Sequence, residues 1–433
     1  MPVEWIGVIG IALMFILMFL KFPISISLIV PGVLGVFYIR GWGAVETTLE
    51  TIIWSHSFSY TFSTIPMFIL MGELLFISGI STELFDTFRK WFGKMKGGLA
   101  TSTIGASALF AAASGSSVAS TGTMGVIAQR EMNKAGYDDK FSSGTIVSGG
   151  TLGILIPPSG AFIIYGIITE QSIGKLLIAG IVPGIVLALL FILTIIITVR
   201  VQPKLAPDNT ISYSWKEKFI SIKSTIWFIA LFVVVIGGMY VGWFSPTEAA
   251  GAGAFVALIL ASLKKKLNFR TLVQALERTL RTTGFLFAIV LGAFVLNYFL
   301  ALTHLPEFMA SVITASNLPV WGVILLIMLM YLILGAVMDA LAMIVVTIPI
   351  ILPIIQALGF DLIWFGVWIV IIIELALITP PIGMNCFVLK GAVSDLRLED
   401  IFKGAARFII PIIVMLLLLT AFPSIALWLP STM

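Results

Sequence analysis

Charge is what this chain has least of. Asp, Glu, Lys and Arg make up 11% of its 433 residues, whereas a soluble domain carries about a quarter. With 59% hydrophobic residues and a mean hydropathy of +1.12, that scarcity excludes an ordinary soluble protein. Cysteine is nearly absent too. The single Cys386 rules out an intrachain disulfide and any cysteine-based metal cluster. The two histidines, His56 and His304, stand in or beside polar segments, and solvated side chains are the plain reading for both. The apolar runs of the core contain neither a histidine nor a lysine to activate a serine, so an intramembrane hydrolase lacks its base and no enzymatic activity is expected. The net charge of +4 is small and lies in loops, which excludes a nucleic-acid partner. The alternation of a β-barrel is missing. So is a signal peptide: Glu4 stands where a basic n-region belongs and no small-residue cleavage site follows the run 5–20.

What remains is a series of apolar runs long enough to cross hydrocarbon as helices. The chain reads as an all-α polytopic membrane protein in contact with the lipid bilayer. Basic residues cluster in RKWFGKMK (89–96), at Arg130, Lys134 and Lys140, in 200–223, in KKK (264–266) and from Lys390 to Arg407. The positive-inside rule makes these segments cytoplasmic. Segments 244–251 and 303–319 carry no Lys or Arg and belong outside. Spans are expected near 5–20, 22–39, 64–80, 143–168, 176–199, 225–243, 248–263, 283–302, 362–389 and 408–429. Two apolar segments do not fit as crossings: 98–129 begins and ends among cytoplasmic charges, and 318–357 begins and ends outside. Both are expected to be re-entrant helical hairpins. The polar, aromatic 41–60 fits the membrane interface.

The two halves then match in order and oppose each other in orientation. Each has a span, a hairpin, a span broken by Pro-Pro, and a further span, which makes an inverted-topology repeat. The breaks are LGILIPPSGAFIIYG (152–166) and LALITPPIGMNCFVLKG (375–391). Proline removes a backbone donor and frees carbonyls, which survive at membrane depth only when buried in protein or lining a cavity. A packing kink would explain one diproline; a matched pair points to binding sites near the midplane.

The polar residues beside the breaks supply candidate ligands. In ASGSSVASTGTMG (113–125) the tip of the first hairpin gathers Ser114, Gly115, Ser116, Ser117, Ser120 and Thr121, and SGGTLG (148–153) adds Gly149 and Thr151. Hydroxyl and carbonyl oxygens suit a hard cation, although small residues also serve plain helix packing. In GAVMDALAMIVVTIP (335–349) Asp339 interrupts an apolar run, where an acid costs about 2.5–3.5 kcal/mol unless it has a role; capping a half-helix is the alternative. Thr379, Gly383 and Asn385 complete the second set. Pro157, Pro158, Pro380, Pro381, Ser120 and Asn385 are expected to face the substrate. Glu73 and Glu374 also fall in or near apolar runs, as proton carriers or as side chains snorkelling to an interface. Residues 268–281, NFRTLVQALERTLR, form an amphipathic pattern that reads as a helix lying on the cytoplasmic surface, and 81–96 has similar character. Within the core spans no basic residue is placed to grip a carboxylate.

The ordered set GASALFAAASGSSVAST, IAQREMNKAGYD, LGILIPPSGAFIIYG and SIGKLLIAGIVPG, followed by GAVMDALAMIVVTIPIILPI and ELALITPPIGMNCFVLKG, resembles the large membrane subunit of TRAP (tripartite ATP-independent periplasmic) transporters over nearly the whole chain. The resemblance implies a sodium-driven importer of an organic acid anion, of the C4-dicarboxylate, keto acid or sialic acid class. It implies the inner membrane, a small four-span membrane subunit and a soluble periplasmic substrate-binding protein as partners. No cofactor is implied beyond sodium as coupling ion. It also implies a scaffold (1–63 and 200–282) around an elevator-type transport core made of repeats 64–199 and 283–433. One sodium site would use Ser114–Ser117, Gly149 and Thr151, the other Gly335, Asp339, Thr379 and Gly383. A stand-alone ion-coupled anion carrier without a binding protein is the alternative.

Overall fold

The computed structural model of the chain describes residues 2–207, 213–316, 318–335 and 338–433. Among the described residues there is no β-strand, and 8 helical segments are long and apolar enough to cross a membrane. The protein is a multi-pass membrane protein.

The first part of the chain forms α1 (Val3–Phe19), α2 (Ile24–Arg40), α3 (Trp42–Ser57), α4 (Thr64–Ile77) and the amphipathic α5 (Ile80–Phe92). Next come α6 (Gly98–Ser114) and α7 (Ser117–Lys134), two packed arms joined at Gly115. Gly115 has φ +58 and sits 2.9 Å, measured from an added Cβ, from the Pro158 carbonyl, so only glycine turns there without strain. Then α8 (Asp139–Leu155) stops before the diproline and α9 (Gly160–Thr169) resumes after it. The half ends with α10 (Ile173–Ala179) and α11 (Ile181–Val201).

The helices α12 (Trp215–Tyr240), α13 (Pro246–Leu263) and α14 (Phe269–Leu302) follow. Capping boxes start α12 at Ser214 with Glu217 and α13 at Ser245 with Glu248. After them come α15 (Leu305–Ala315), α16 (Val320–Leu334) and α17 (Ala340–Ala357). The hydroxyls of Tyr331 on α16 and Thr347 on α17 bond to each other. Finally α18 (Leu362–Ile378) breaks at the second diproline, α19 (Met384–Ala392) resumes, and α20 (Leu398–Ala421) closes the half. The two broken spans share a cap. Asp138 accepts from the amides of Lys140 and Phe141, and Asp361 from those of Ile363 and Trp364.

At the centre lie α8 and α18, in which residues Phe141 to Leu155 and Trp364 to Ile378 are all buried. Apolar burial alone does not hold such helices together in lipid, so close approach through small residues matters. Accordingly Gly404 of α20 lies on the Lys140 carbonyl of α8, where any side chain would collide. The repeats interlock: α7 packs on α19 while α17 packs on α9, and α8 touches α19 while α18 touches α9. Exchanging the repeats turns one set of contacts into the other, as an inverted pair requires.

Two expectations change. The pattern 268–281 does not form a separate surface helix, because α14 runs unbroken for 34 residues through the following span. At 1.5 Å per residue it measures about 51 Å, against a hydrocarbon core of about 30 Å. The outer loop 303–319 contains α15, which opens with Pro306 in its first turn.

Candidate functional site

At the first hairpin tip Ser116 caps α7, its hydroxyl accepting from the Ala119 amide at 3.3 Å. Ser114 and Ser120 share a hydroxyl contact of 2.6 Å, and Ser114 also donates to the Ser116 carbonyl at 3.3 Å. This knot is pressed against α8. A Cβ at Gly153 would come within 2.8 Å of the Ser120 hydroxyl and nearer still to the Ser116 carbonyl, and one at Gly150 would run into Thr121. The structure thus brings Ser114, Gly115, Ser116, Ser117 and Ser120 together with Pro158. Gly149 points elsewhere, toward Ser107, and the Thr151 hydroxyl donates to the Ser148 carbonyl at 2.7 Å. Ser107 lies seven residues before Ser114 on α6, about 10 Å along the helix. Sequence reasoning missed Gly150 and Gly153; the Gly-x-x-Gly spacing was the available signal.

The freed carbonyls at the breaks are partly reclaimed. Ser159 donates to Ile154 O at 2.5 Å and Thr379 to Leu375 O at 2.5 Å. Both diproline bonds are cis. Their surroundings differ, since Pro157 and Pro158 are buried whereas Pro380 and Pro381 are exposed.

In the second set Asp339 caps α17, its carboxylate accepting from the Ala342 amide at 2.8 Å. Gly335 abuts Ala376 of α18, and Gly383, with φ +58, starts α19 under the Phe402 ring. Asn385 is buried with neither amide atom hydrogen-bonded, and both carboxylate oxygens of the buried Glu374 lack a hydrogen bond, with Ser117 of the first hairpin as a polar neighbour.

The decisive feature is a cavity of about 360 Å³ beside the first hairpin tip. Ser116 and Ala119 bring the start of α7 to its wall, Pro158 and Gly160 the start of α9, and Leu341 the start of α17. Also in its lining are α4, with Gly72 and Glu73, and α14, with Arg278, Thr282 and Leu286. Ser116 caps α7 and the Asp339 carboxylate caps α17, but the start of α9 has no side-chain cap; its open amides and dipole end, with Arg278, are what favour an anion in the cavity. Arg278, which the sequence placed on a surface helix, lines this same space. Its Nη1 stands 3.6 Å from Glu73 Oε2.

A family model described as "Tripartite ATP-independent periplasmic transporter, DctM component" matches residues 11–425. The chain is 34% identical, over 86% of each sequence, to the C4-dicarboxylate TRAP transporter large permease protein DctM of Pseudomonas aeruginosa. It is 31% identical to the sialic acid TRAP transporter permease protein SiaT of Haemophilus influenzae, covering 98% of this chain and 68% of that one. It is also 31% identical to the ectoine TRAP transporter large permease protein TeaC of Halomonas elongata, covering 97% and 98%. The crystal structure of the Alcanivorax borkumensis YdaH transporter shares the fold, with a TM-score of 0.62 at 14% identity over 89% of this chain and 90% of that one.

Proposed function

Because this chain belongs to the DctM family of tripartite ATP-independent periplasmic transporters, permeases rather than enzymes, we propose that it imports an organic acid anion across the inner membrane by sodium symport. The observation that carries the reading is the meeting of the uncapped start of α9 with Arg278 on one cavity. The relatives named for C4-dicarboxylates, sialic acid and ectoine all handle compounds that bear a carboxylate, which suits such a cavity.

In this reading the oxygens of the first hairpin tip, Ser114 to Ser117, hold one sodium ion, and Asp339 with Gly335, Thr379 and Gly383 another. Each cation offsets the charge of the anion, so ion and substrate favour each other's binding. Of the residues expected to face the anion, Pro158 lines this cavity, whereas Ser120, Pro157, Pro380, Pro381 and Asn385 stand outside its lining. A soluble binding protein delivers the substrate, and a small four-span subunit joins the scaffold of residues 1–63 and 200–282 as the frame. The interlocked repeats move against that frame as an elevator. Proteoliposomes holding this chain and its small subunit, with the binding protein outside, test the proposal. Uptake of labelled succinate, sialic acid or ectoine should fall to background when choline replaces sodium. Equal uptake in choline refutes sodium coupling, and uptake without the binding protein selects the stand-alone carrier.

A further inference from the structure

The helix starts and hydroxyls that line the cavity are uncharged. Its charged pair, Glu73 and Arg278, comes from α4 and α14. The pair is loose. At 3.6 Å the contact is an ion pair too long for a hydrogen bond, and Glu73 Oε2 is shielded from solvent with no hydrogen-bond partner. Arg278 retains about half of its side-chain exposure (56%) and therefore has donors to spare. It also sits toward the cytoplasmic end of the cavity, because α4 runs on into the basic segment 89–96 and α14 follows the KKK run.

We propose that Arg278 is a specificity-determining contact for the substrate's acidic group on the cytoplasmic side, with Glu73 as the counter-ion that occupies it when no anion is bound. This rests on the anion-transport reading and adds a residue of the frame to it. The anion displaces Glu73 from the guanidinium as it moves off the helix starts, and Glu73 reclaims Arg278 once the anion has left. A fork of planar donors suits a carboxylate or sulfonate better than a point charge does.

The signs of two substitutions separate this from a bridge that merely holds α4 to α14. If the pair is only structural, Arg278→Gln and Glu73→Gln break the same contact and act alike. If Arg278 grips the anion, they act oppositely. Counterflow of labelled succinate, sialic acid and ectoine is measured in proteoliposomes holding the complete carrier, with the internal concentration varied. Arg278→Gln should raise the internal half-saturation about tenfold, the loss of one charge-assisted hydrogen bond near the weak end of its range. Arg278→Lys should recover to within about threefold, and Glu73→Gln should lower the half-saturation or leave it unchanged. The melting midpoints of the variants report folding separately. Parallel losses in Arg278→Gln and Glu73→Gln, or an unchanged half-saturation in Arg278→Gln, overturn the proposal. Absence of counterflow by the wild type with all three compounds overturns the underlying anion reading instead.

Discussion

Gly153→Ala tests whether the first hairpin tip is seated on the broken helix. A Cβ at position 153 would lie 2.5 Å from the Ser116 carbonyl oxygen and 2.8 Å from Ser120 Oγ, where ordinary contact begins near 3.4 Å. The tip must withdraw by roughly 0.9 Å, since the carbonyl it meets is backbone and α8 is buried on every side there. Alanine gains about 0.5–1 kcal/mol over glycine inside a helix whether or not the tip is seated, so forced overpacking, at about 1–3 kcal/mol, acts alone on the seated form. A cost of that size shifts the seated form by about 5- to 150-fold. If the seated tip is the ion-binding form, the sodium concentration for half-maximal uptake rises at least about fivefold. Gly122→Ala is the control, because its Cβ would meet only Val388, at 3.6 Å. Uptake against sodium and the unfolding midpoint are measured for both. A Gly153→Ala protein indistinguishable from Gly122→Ala in both assays would refute the seating of the tip.

Asp339→Asn keeps an amide-accepting cap and should leave stability within a few tenths of a kcal/mol, whereas Asp339→Ala should lose about 1 kcal/mol; unchanged sodium dependence in the Asn variant would remove the carboxylate's charge from the ion pathway. On the cytoplasmic side, a hydrogen bond from Lys134 holds Glu131 below the usual carboxylate range, outweighing its partial burial, with the charge of Arg89 adding to the effect. Its folded value is depressed, so its contribution is present above the ordinary value of 4.5 and is lost as pH falls through the folded one. The midpoint difference between wild type and Glu131→Gln, worth up to about 1 kcal/mol at neutral pH, should therefore vanish on acidification; a difference that grows would contradict the pairing. Trp364→Phe removes the buried bond from the indole to the Leu419 carbonyl, 2.8 Å long, and should cost about 1–3 kcal/mol. Trp42→Phe, which loses an equally long but exposed bond to Glu46, should cost little, and equal losses would count against the burial of Trp364.

The breaks in α8 and α18 were legible because a diproline inside an apolar run leaves a local mark that no tertiary contact can erase. The serine-rich turn was legible for the same reason, as glycine and hydroxyls in a run of alanines. What escaped were features set by distant partners. Nothing local at Thr282 says that the amphipathic stretch continues as one rod into the next span, so α14 was divided. Arg278 then read as a surface charge, because its place in the cavity is created by α4 and by the hairpin from elsewhere in the chain. The choice of Gly153 over Gly149 against the tip was likewise hidden. Both stand in one glycine-rich turn of sequence, and only the rotation of α8 against α6 and α7 tells which faces the serines.

The exchange of partners between the repeats, α7 with α19 and α17 with α9, means that neither half owns a finished chamber. A gene cut after Val201 would yield two products, each with an unfilled groove shaped for the other's helix, and cargo could not be held until the pieces met. Carrying both on one polypeptide sets their ratio at one to one and lets the first half wait for the second as it emerges.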